Sequence, residues 1–378
     1  MNTIFTEEQQ MLKKSAADFL VKEVSEIKVR EIEESETGFD PELWKGMAAL
    51  GWMGLVIPEE YDGMGMTFQD LSIVLGEMGK NITPGPFLCT MLEGAYPILD
   101  AGNEEQKKEF LPKIAEGKLI FTMALLEAEG VYEASTIITK AIAQNDNFVI
   151  NGTKLFVEQA NNADYLLCVT RTKEGALPDD GITLFLVDAK TTGIHIEVIP
   201  TIGMERLCEV KFKDVVVPKK NMLGELDRGW PIVRKLLERA AIAKTSESLG
   251  AMEAIIPSTV DYLKQRVQYD QPLAQYQALQ HILADMFIAM TASKYLVYKA
   301  VWMESEDILC VKEVAMAKAY VNQAYKELSR LMIRLYGGNG TNREFKPGLY
   351  YRRARAADVA FGSTSFHREL VAKEIGLL

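Results

Sequence analysis

Residues 361–367, FGSTSFH, place a large apolar ring directly ahead of a Gly-Ser-Thr-Ser turn near the end of a 378-residue chain. A glycine followed by three hydroxyl side chains suits a turn that holds a polar ligand against its backbone. A short way upstream, Arg352, Arg353 and Arg355 form a basic spot able to bind one small phosphate. Thiol and metal chemistry have little to work with. Cys89, Cys168, Cys208 and Cys310 are far apart without a CxxC pair, and the chain has only three histidines. The expectation is four buried free thiols in a reducing compartment and no metal site.

Composition narrows the partners. A net charge of -11 with a pI near 5.1 excludes nucleic acid and anionic membrane as main partners, because phosphate binding needs clustered positive charge. No stretch approaches the roughly 18 consecutive apolar residues of a membrane span, and the N-terminus MNTIFTEEQQMLKK does not read as a signal peptide. A cytoplasmic protein is expected. With 48% hydrophobic residues the chain can bury a sizeable core in two or three structural units.

Three segments must position the chemistry. Residues 1–120 read as helical, opening on a Thr6/Gln9 capping box followed by Met11, Ala16, Phe19, Leu20 and Val24 at near-helical spacing. Residues 121–228 switch to short β-rich runs separated by turn signals, and Asn151-Gly152 in NFVINGTKLFV predicts a hairpin. Residues 229–378 return to helix, expected over 231–267, 274–303, 308–336 and from about 363. The order helical, β, helical is uncommon enough to inform the fold.

Five segments, in order and spacing, resemble the acyl-CoA dehydrogenase family: NGTKLFVEQANNADYLLCVTRT, IGMERLCEVKFKDVVVPKKNMLGELDRGW, RVQYDQPLAQYQALQHILADM, RLYGGNGTNREF and AFGSTSFHRELVAKEIG. The similarity covers essentially the whole chain. It implies an α+β fold with an N-terminal helical domain, a middle antiparallel β-barrel or sandwich and a C-terminal four-helix bundle. It also implies FAD, an acyl-CoA thioester substrate oxidised to the 2-enoyl-CoA, and an electron-transfer flavoprotein as acceptor. Such chemistry needs a base for the proton alpha to the thioester, a hydride acceptor for the beta carbon and hydrogen bonds to the carbonyl.

The resemblance carries over cofactor roles position by position. RVQYDQP is similar to Arg-x-Gln-Phe-Gly, which gives Arg266, Gln268 and Tyr269 to a FAD pyrophosphate reached across a subunit interface, with Asp270 replacing the family glycine. Gln277 follows in the same segment. RLYGGNG is similar to Gln-x-x-Gly-Gly-x-Gly, so Gly337 and Gly338 would admit the cofactor closely, and Arg334 stands where glutamine is usual. MALLEAEGVYEAS occupies the place of Thr-Glu-Pro-x-Ala-Gly-Ser-Asp. Backbone contacts to the flavin fall there on Leu125 and Leu126, and Glu127 is shared. LFVEQA replaces Trp-Ile-Thr-Asn, assigning Phe156, Val157 and Glu158 to the flavin. Ser363 and Ser365 match positions that touch FAD.

The same comparison exposes a gap. AFGSTSF aligns with Tyr-Glu-Gly-Thr-x-x-Ile, so Phe361 stands where most members carry the catalytic glutamate. In the family the backbone N–H at this position helps polarise the thioester carbonyl, and the resemblance carries that role over to Phe361. The alternative position used by other members falls on Ala240, and Glu238 is two residues away, about 200° around a helix. Glu238 stays a candidate substrate contact. Glu93, in PGPFLCTMLEGAYPILDAG, occupies a position that is usually apolar in the acyl pocket. A carboxylate there is expensive to bury without a partner or a task. Glu93 is therefore the first candidate base, or a reader of the polar end of the acyl group, acting at a carbon beyond beta if the group is alicyclic. Asp358 is the second candidate, beside its arginines. His367 resembles a variant ending of hetero-oligomeric members.

The resulting expectation is oxidation of a bulky, alicyclic or dicarboxylic acyl-CoA by a tetramer. The alternatives are a subunit of a hetero-oligomer whose second family member supplies the glutamate, and a flavin-containing lyase or desulfinase on the same fold.

Overall fold

The computed structural model describes residues 5–175 and 177–377. They fall into two compact units that each use separated parts of the chain: the described residues up to 30, 68–83 and from 241 onward in the first, and those within 31–67 and 84–240 in the second.

In the first unit, helix Glu7–Glu23 starts where the sequence places it, with both halves of the Thr6/Gln9 capping box formed. Helix Phe68–Lys80 meets helix Trp230–Gln265 at glycines. A Cβ on Gly250 would lie 1.8 Å from the Gly76 carbonyl oxygen, and one on Gly79 would lie 1.9 Å from that of Glu247. Backbone packs on backbone there. Helix Gln277–Ser305 follows, and helix Val311–Tyr336 presents Val314, Val321, Tyr325, Leu328 and Met332 as one buried stripe at helical spacing. Pro347–Val359 is a further helix that the sequence reading missed. Pro347 sits at its first turn, where a missing N–H costs nothing. Thr364–Glu374 is the final helix.

The second unit is built around an eight-stranded sheet: β1 Phe121–Ala124, β2 Lys140–Gln144, β3 Asn147–Glu158, β4 Tyr165–Arg171, β5 Ile182–Asp188, β6 Ile194–Ile199, β7 Leu207–Pro218 and β8 Met222–Leu223. The order is β6-β7-β3-β2-β4-β5-β8, with β1 joined to β4. Most pairs are antiparallel, whereas β1 runs parallel to β4. The hairpin expected at Asn151-Gly152 is not there. β3 runs straight through those residues with a bulge beside β7, and the turn lies earlier, at Asn145, whose φ is +56°. Gly152 is needed for close approach instead: a Cβ on it would stand 2.4 Å from the Thr139 hydroxyl. Among the described residues no helix is long and apolar enough to cross a membrane.

Candidate active site

Glu93 lies in a π-helical turn, Thr90–Ala95, between Phe87–Cys89 and Tyr96–Ala101. Such turns re-aim side chains and cluster at functional sites. The turn packs on β1 so tightly that a Cβ on Gly94 would fall 2.4 Å from the Phe121 Cβ. With β4 on one edge of β1, two side chains serve the N–H groups on the other. Phe121 N donates to Thr90 Oγ1 at 3.3 Å and Met123 N to Glu93 Oε2 at 2.8 Å, while the Thr122 hydroxyl also donates to Oε2 at 3.1 Å. Glu93 is only 4% exposed. Both bonds go to one carboxylate oxygen, and among the described residues Oε1 has no hydrogen-bond donor. Burial pushes the carboxyl up to about 8, the charge of Glu158 adds to the rise, and the two donors oppose it.

The segment after β1 is held by a buried ion pair. Lys154 Nζ donates to the Leu125 carbonyl at 3.0 Å and to Glu127 Oε1 at 2.7 Å, and Glu127 also accepts from the N–H groups of Ile138 and Thr139. Leu155 N donates to the Leu126 carbonyl at 2.8 Å. The carbonyls of Leu125 and Leu126 are thus spent on β3. A register shift between Lys154 and Val157 coincides with a φ of +56° at Phe156, whose ring is 46% exposed while Val157 is buried. Glu93, Leu125, Leu126, Phe156 and Glu158 all belong to the second unit.

The remaining cofactor candidates belong to the first unit. Arg266 precedes a small hairpin of Val267–Gln268 and Gln271–Pro272, with Tyr269 and Asp270 in left-handed conformation at its tip. Arg266, Gln268, Tyr269 and Gln277 are exposed. Stacked rings tie the hairpin's helix to the glycine turn Gly337–Gly340: Tyr262 and Tyr336 lie 3.9 Å apart, and Asn339 Nδ2 donates to the Tyr262 hydroxyl at 3.1 Å. A Cβ on Gly337 or Gly338 would meet nothing within 4 Å. Open glycine backbone and an exposed guanidinium are both donors of the kind a pyrophosphate takes, so the chemistry of these residues suits FAD. Arg334 lines a groove of about 480 Å³ with Asp285, Glu327 and Arg330.

The turn that opened the analysis is built with strain. Phe361 is buried with a φ of +54°, a conformation that costs a bulky residue energy, and Gly362 has a φ of +102°. Ser363 spends its side chain as the N-cap of the last helix, accepting from Phe366 N, while Ser365 is exposed. Asp358 accepts from Lys326 Nζ at 2.5 Å and from the Thr364 hydroxyl at 2.6 Å, which holds its carboxyl below the usual range despite partial burial. That pairing makes Asp358 an anchor of the turn and a poor base.

His367 is 3% exposed, and its Nε2 donates to the Phe361 carbonyl at 2.9 Å. Burial holds the imidazole down at about 4. A base whose folded value is depressed binds fewer protons folded than unfolded, so its contribution to stability is intact above 6.5 and is lost as the pH falls from there towards 4. Urea unfolding at pH 7 and 4.5 should show wild type losing on the order of 2 kcal/mol more than His367→Gln on acidification. Equal losses would discount the effect.

Phe361 and Ala240, the two positions to which the resemblance assigns a base, carry no carboxylate of their own. Ala240 is fully buried, and its neighbour Arg239 is engaged by Asp100 and stacks over Tyr96 at 4.4 Å. Glu238 is half-buried on the same helix. Sequence reasoning missed Thr122, Lys154 and Lys318. A lysine inside the apolar runs of GTKLFV and VAMAKAYV was the available signal.

Models of the acyl-CoA dehydrogenase N-terminal, middle and C-terminal domains match residues 6–118, 122–215 and 227–376. An acyl-CoA dehydrogenase of Bacillus subtilis is 31% identical over 376 residues, covering 97% of this chain and 98% of that protein. The caffeyl-CoA reductase-Etf complex subunit CarC of Acetobacterium woodii is 29% identical over 97% of this chain and 98% of its own. The butyryl-CoA dehydrogenase structure from Megasphaera elsdenii superposes with a TM-score of 0.92 at 27% identity, covering 99% of this chain and 100% of that one. With three consecutive domain matches and relatives aligned end to end, the chain belongs to the acyl-CoA dehydrogenase family, FAD-dependent oxidoreductases of CH–CH bonds.

Proposed function

We propose that this chain oxidises an acyl-CoA with a bulky, alicyclic or dicarboxylic acyl group, using Glu93 where the family's base is missing. The observation that carries the reading is the Glu93 carboxyl, with one oxygen anchored by two donors and the other, among the described residues, without one. A glutamine could accept the same two bonds without the cost of burying a charge, so a carboxyl group at this place points to proton transfer. A base near 8 is matched to a weakly acidic alpha proton and is partly ionised at neutral pH. In the proposed step the alpha proton goes to Glu93 Oε1. FAD, which Arg266, Gln268 and the backbone at Gly337 and Gly338 would hold, would supply the acceptor for the beta-carbon hydride. The backbone N–H of Phe361 would polarise the thioester carbonyl as in the family. An electron-transfer flavoprotein would be the electron partner, as supported by the relative whose name places it in an Etf complex, and the compartment would be the cytoplasm.

A second reading follows from Phe361, which leaves the turn itself without a carboxylate. In it, a second family member in a hetero-oligomer supplies the base.

Anaerobic incubation of the purified chain with an excess of each thioester of a panel, with and without an artificial electron acceptor, tests the reaction class. Dehydrogenation gives a product two mass units lighter only when acceptor is present. Turnover without acceptor would mean lyase chemistry and would overturn the proposal.

A further inference from the structure

Helix Pro347–Val359 ends without a glycine, yet the carbonyls of Ala356, Ala357 and Asp358 near its end all have donors. Ala356 accepts from Ala360 N. The next two carbonyls are taken by side chains of helix Val311–Tyr336: Lys318 Nζ donates to Ala357 O at 2.6 Å and to Asn322 Oδ1 at 3.0 Å, and Asn322 Nδ2 donates to Asp358 O at 3.1 Å. Lys318 has no exposed surface at all. Burial pushes its ammonium down to about 7, Lys244 and Lys326 add repulsion, and Asp358 and Glu247 oppose them. A buried cation is expensive, and a helix C-terminus is one place that favours it. An apolar side chain at 318 would fill the same space without that cost, but it would leave the Ala357 carbonyl and the Asn322 side-chain oxygen without the donor they share.

What the pair of side chains determines is the path of the next four residues. With the helix end clamped, Ala360 turns extended at φ −63° and ψ 129°, and Phe361 enters the left-handed region. From the far side His367 holds the Phe361 carbonyl, and Thr364 is tied back to Asp358. The strained peptide at Phe361 is thus over-determined by its surroundings, the condition under which strain persists at functional sites.

We propose that Lys318, acting through Asn322 and the two helix-terminal carbonyls, is a positioning residue that aims the backbone N–H of Phe361 at the thioester carbonyl. The proposal rests on the reading that this turn carries the thioester contact. Lys318→Met removes the donor to Ala357 O, and Asn322→Ala removes the donor to Asp358 O together with one acceptor of the Lys318 ammonium.

The test uses the holoenzyme with a non-oxidisable acyl-CoA carrying ¹³C at the thioester carbonyl. Infrared difference spectra should show the bound carbonyl stretch lowered in wild type and returned at least halfway to its free value in Lys318→Met. Amide exchange across 359–366 should become at least tenfold faster, with kcat lowered about tenfold or more and KM within threefold. An unmoved stretch in a folded variant overturns the proposal even if exchange rises, because that is what purely structural support would give. If Lys318→Met does not fold, Asn322→Ala decides by the same readings. A wild-type stretch that is not lowered on binding would instead remove the thioester role of the turn, a failure visible without any variant.

Discussion

Glu93→Gln is expected to lower the rate of anaerobic flavin reduction by acyl-CoA about 100- to 10,000-fold while leaving flavin content unchanged. The loss follows from removing the group that accepts the alpha proton, since general-base catalysis is worth roughly 10² to 10⁴ in rate. The fold should survive. Glutamine keeps an oxygen for Met123 N and the Thr122 hydroxyl. A stability change of definite sign accompanies the loss. An acid whose folded value is raised from 4.5 to about 8 binds more protons folded than unfolded between those values, so wild type loses stability as the pH rises through that window. Glu93→Gln should abolish that loss and be more stable than wild type at pH 8 by on the order of 2–4 kcal/mol. Unchanged reduction in a folded variant would take Glu93 out of the mechanism and leave it as the edge partner of β1.

Lys154→Met should destabilise the protein by about 3–5 kcal/mol, measured by urea unfolding at pH 7. Lys154 and Glu127 are 0% and 3% exposed, so removing the ammonium strands a buried carboxylate whose other donors are two backbone N–H groups. Much of this loss should be recovered in the double variant Lys154→Met, Glu127→Gln, which removes both charges. The functional consequence follows from the Leu125 carbonyl. Its bond to Lys154 helps fix the segment assigned to the flavin, so flavin affinity should fall in the single variant. A single variant as stable as wild type would mean that the pair is not held as the structure shows.

The order of elements was readable because helical and β periodicities differ and because Thr6, Gln9 and the prolines mark boundaries. The sheet was less so. Asn151-Gly152 has the composition of a hairpin turn, but its glycine serves close approach to Thr139 inside a bulged strand, and local composition does not separate the two uses. Pro347–Val359 escaped notice because Pro347-Gly348 reads as a loop and its arginines mask the apolar face of Leu349, Tyr350, Ala354 and Ala357. The family resemblance supplied the candidate positions, and their immediate surroundings came from the fold. Lys154 and Glu127 are 27 residues apart, and Lys318 meets Ala357 across 39. No periodicity links such pairs. The π-helical turn that aims Glu93 at β1 likewise depends on Gly94 fitting against Phe121, a contact between segments far apart in sequence.

The most direct test is the visible spectrum of the chain expressed alone, recorded anaerobically before and after addition of acyl-CoAs with straight, branched, alicyclic and dicarboxylic acyl groups. The account predicts a flavin spectrum that bleaches with a bulky, alicyclic or dicarboxylic thioester. Colourless protein that gains flavin and bleaches only with a second, glutamate-bearing chain would contradict it and make this chain one half of a shared site.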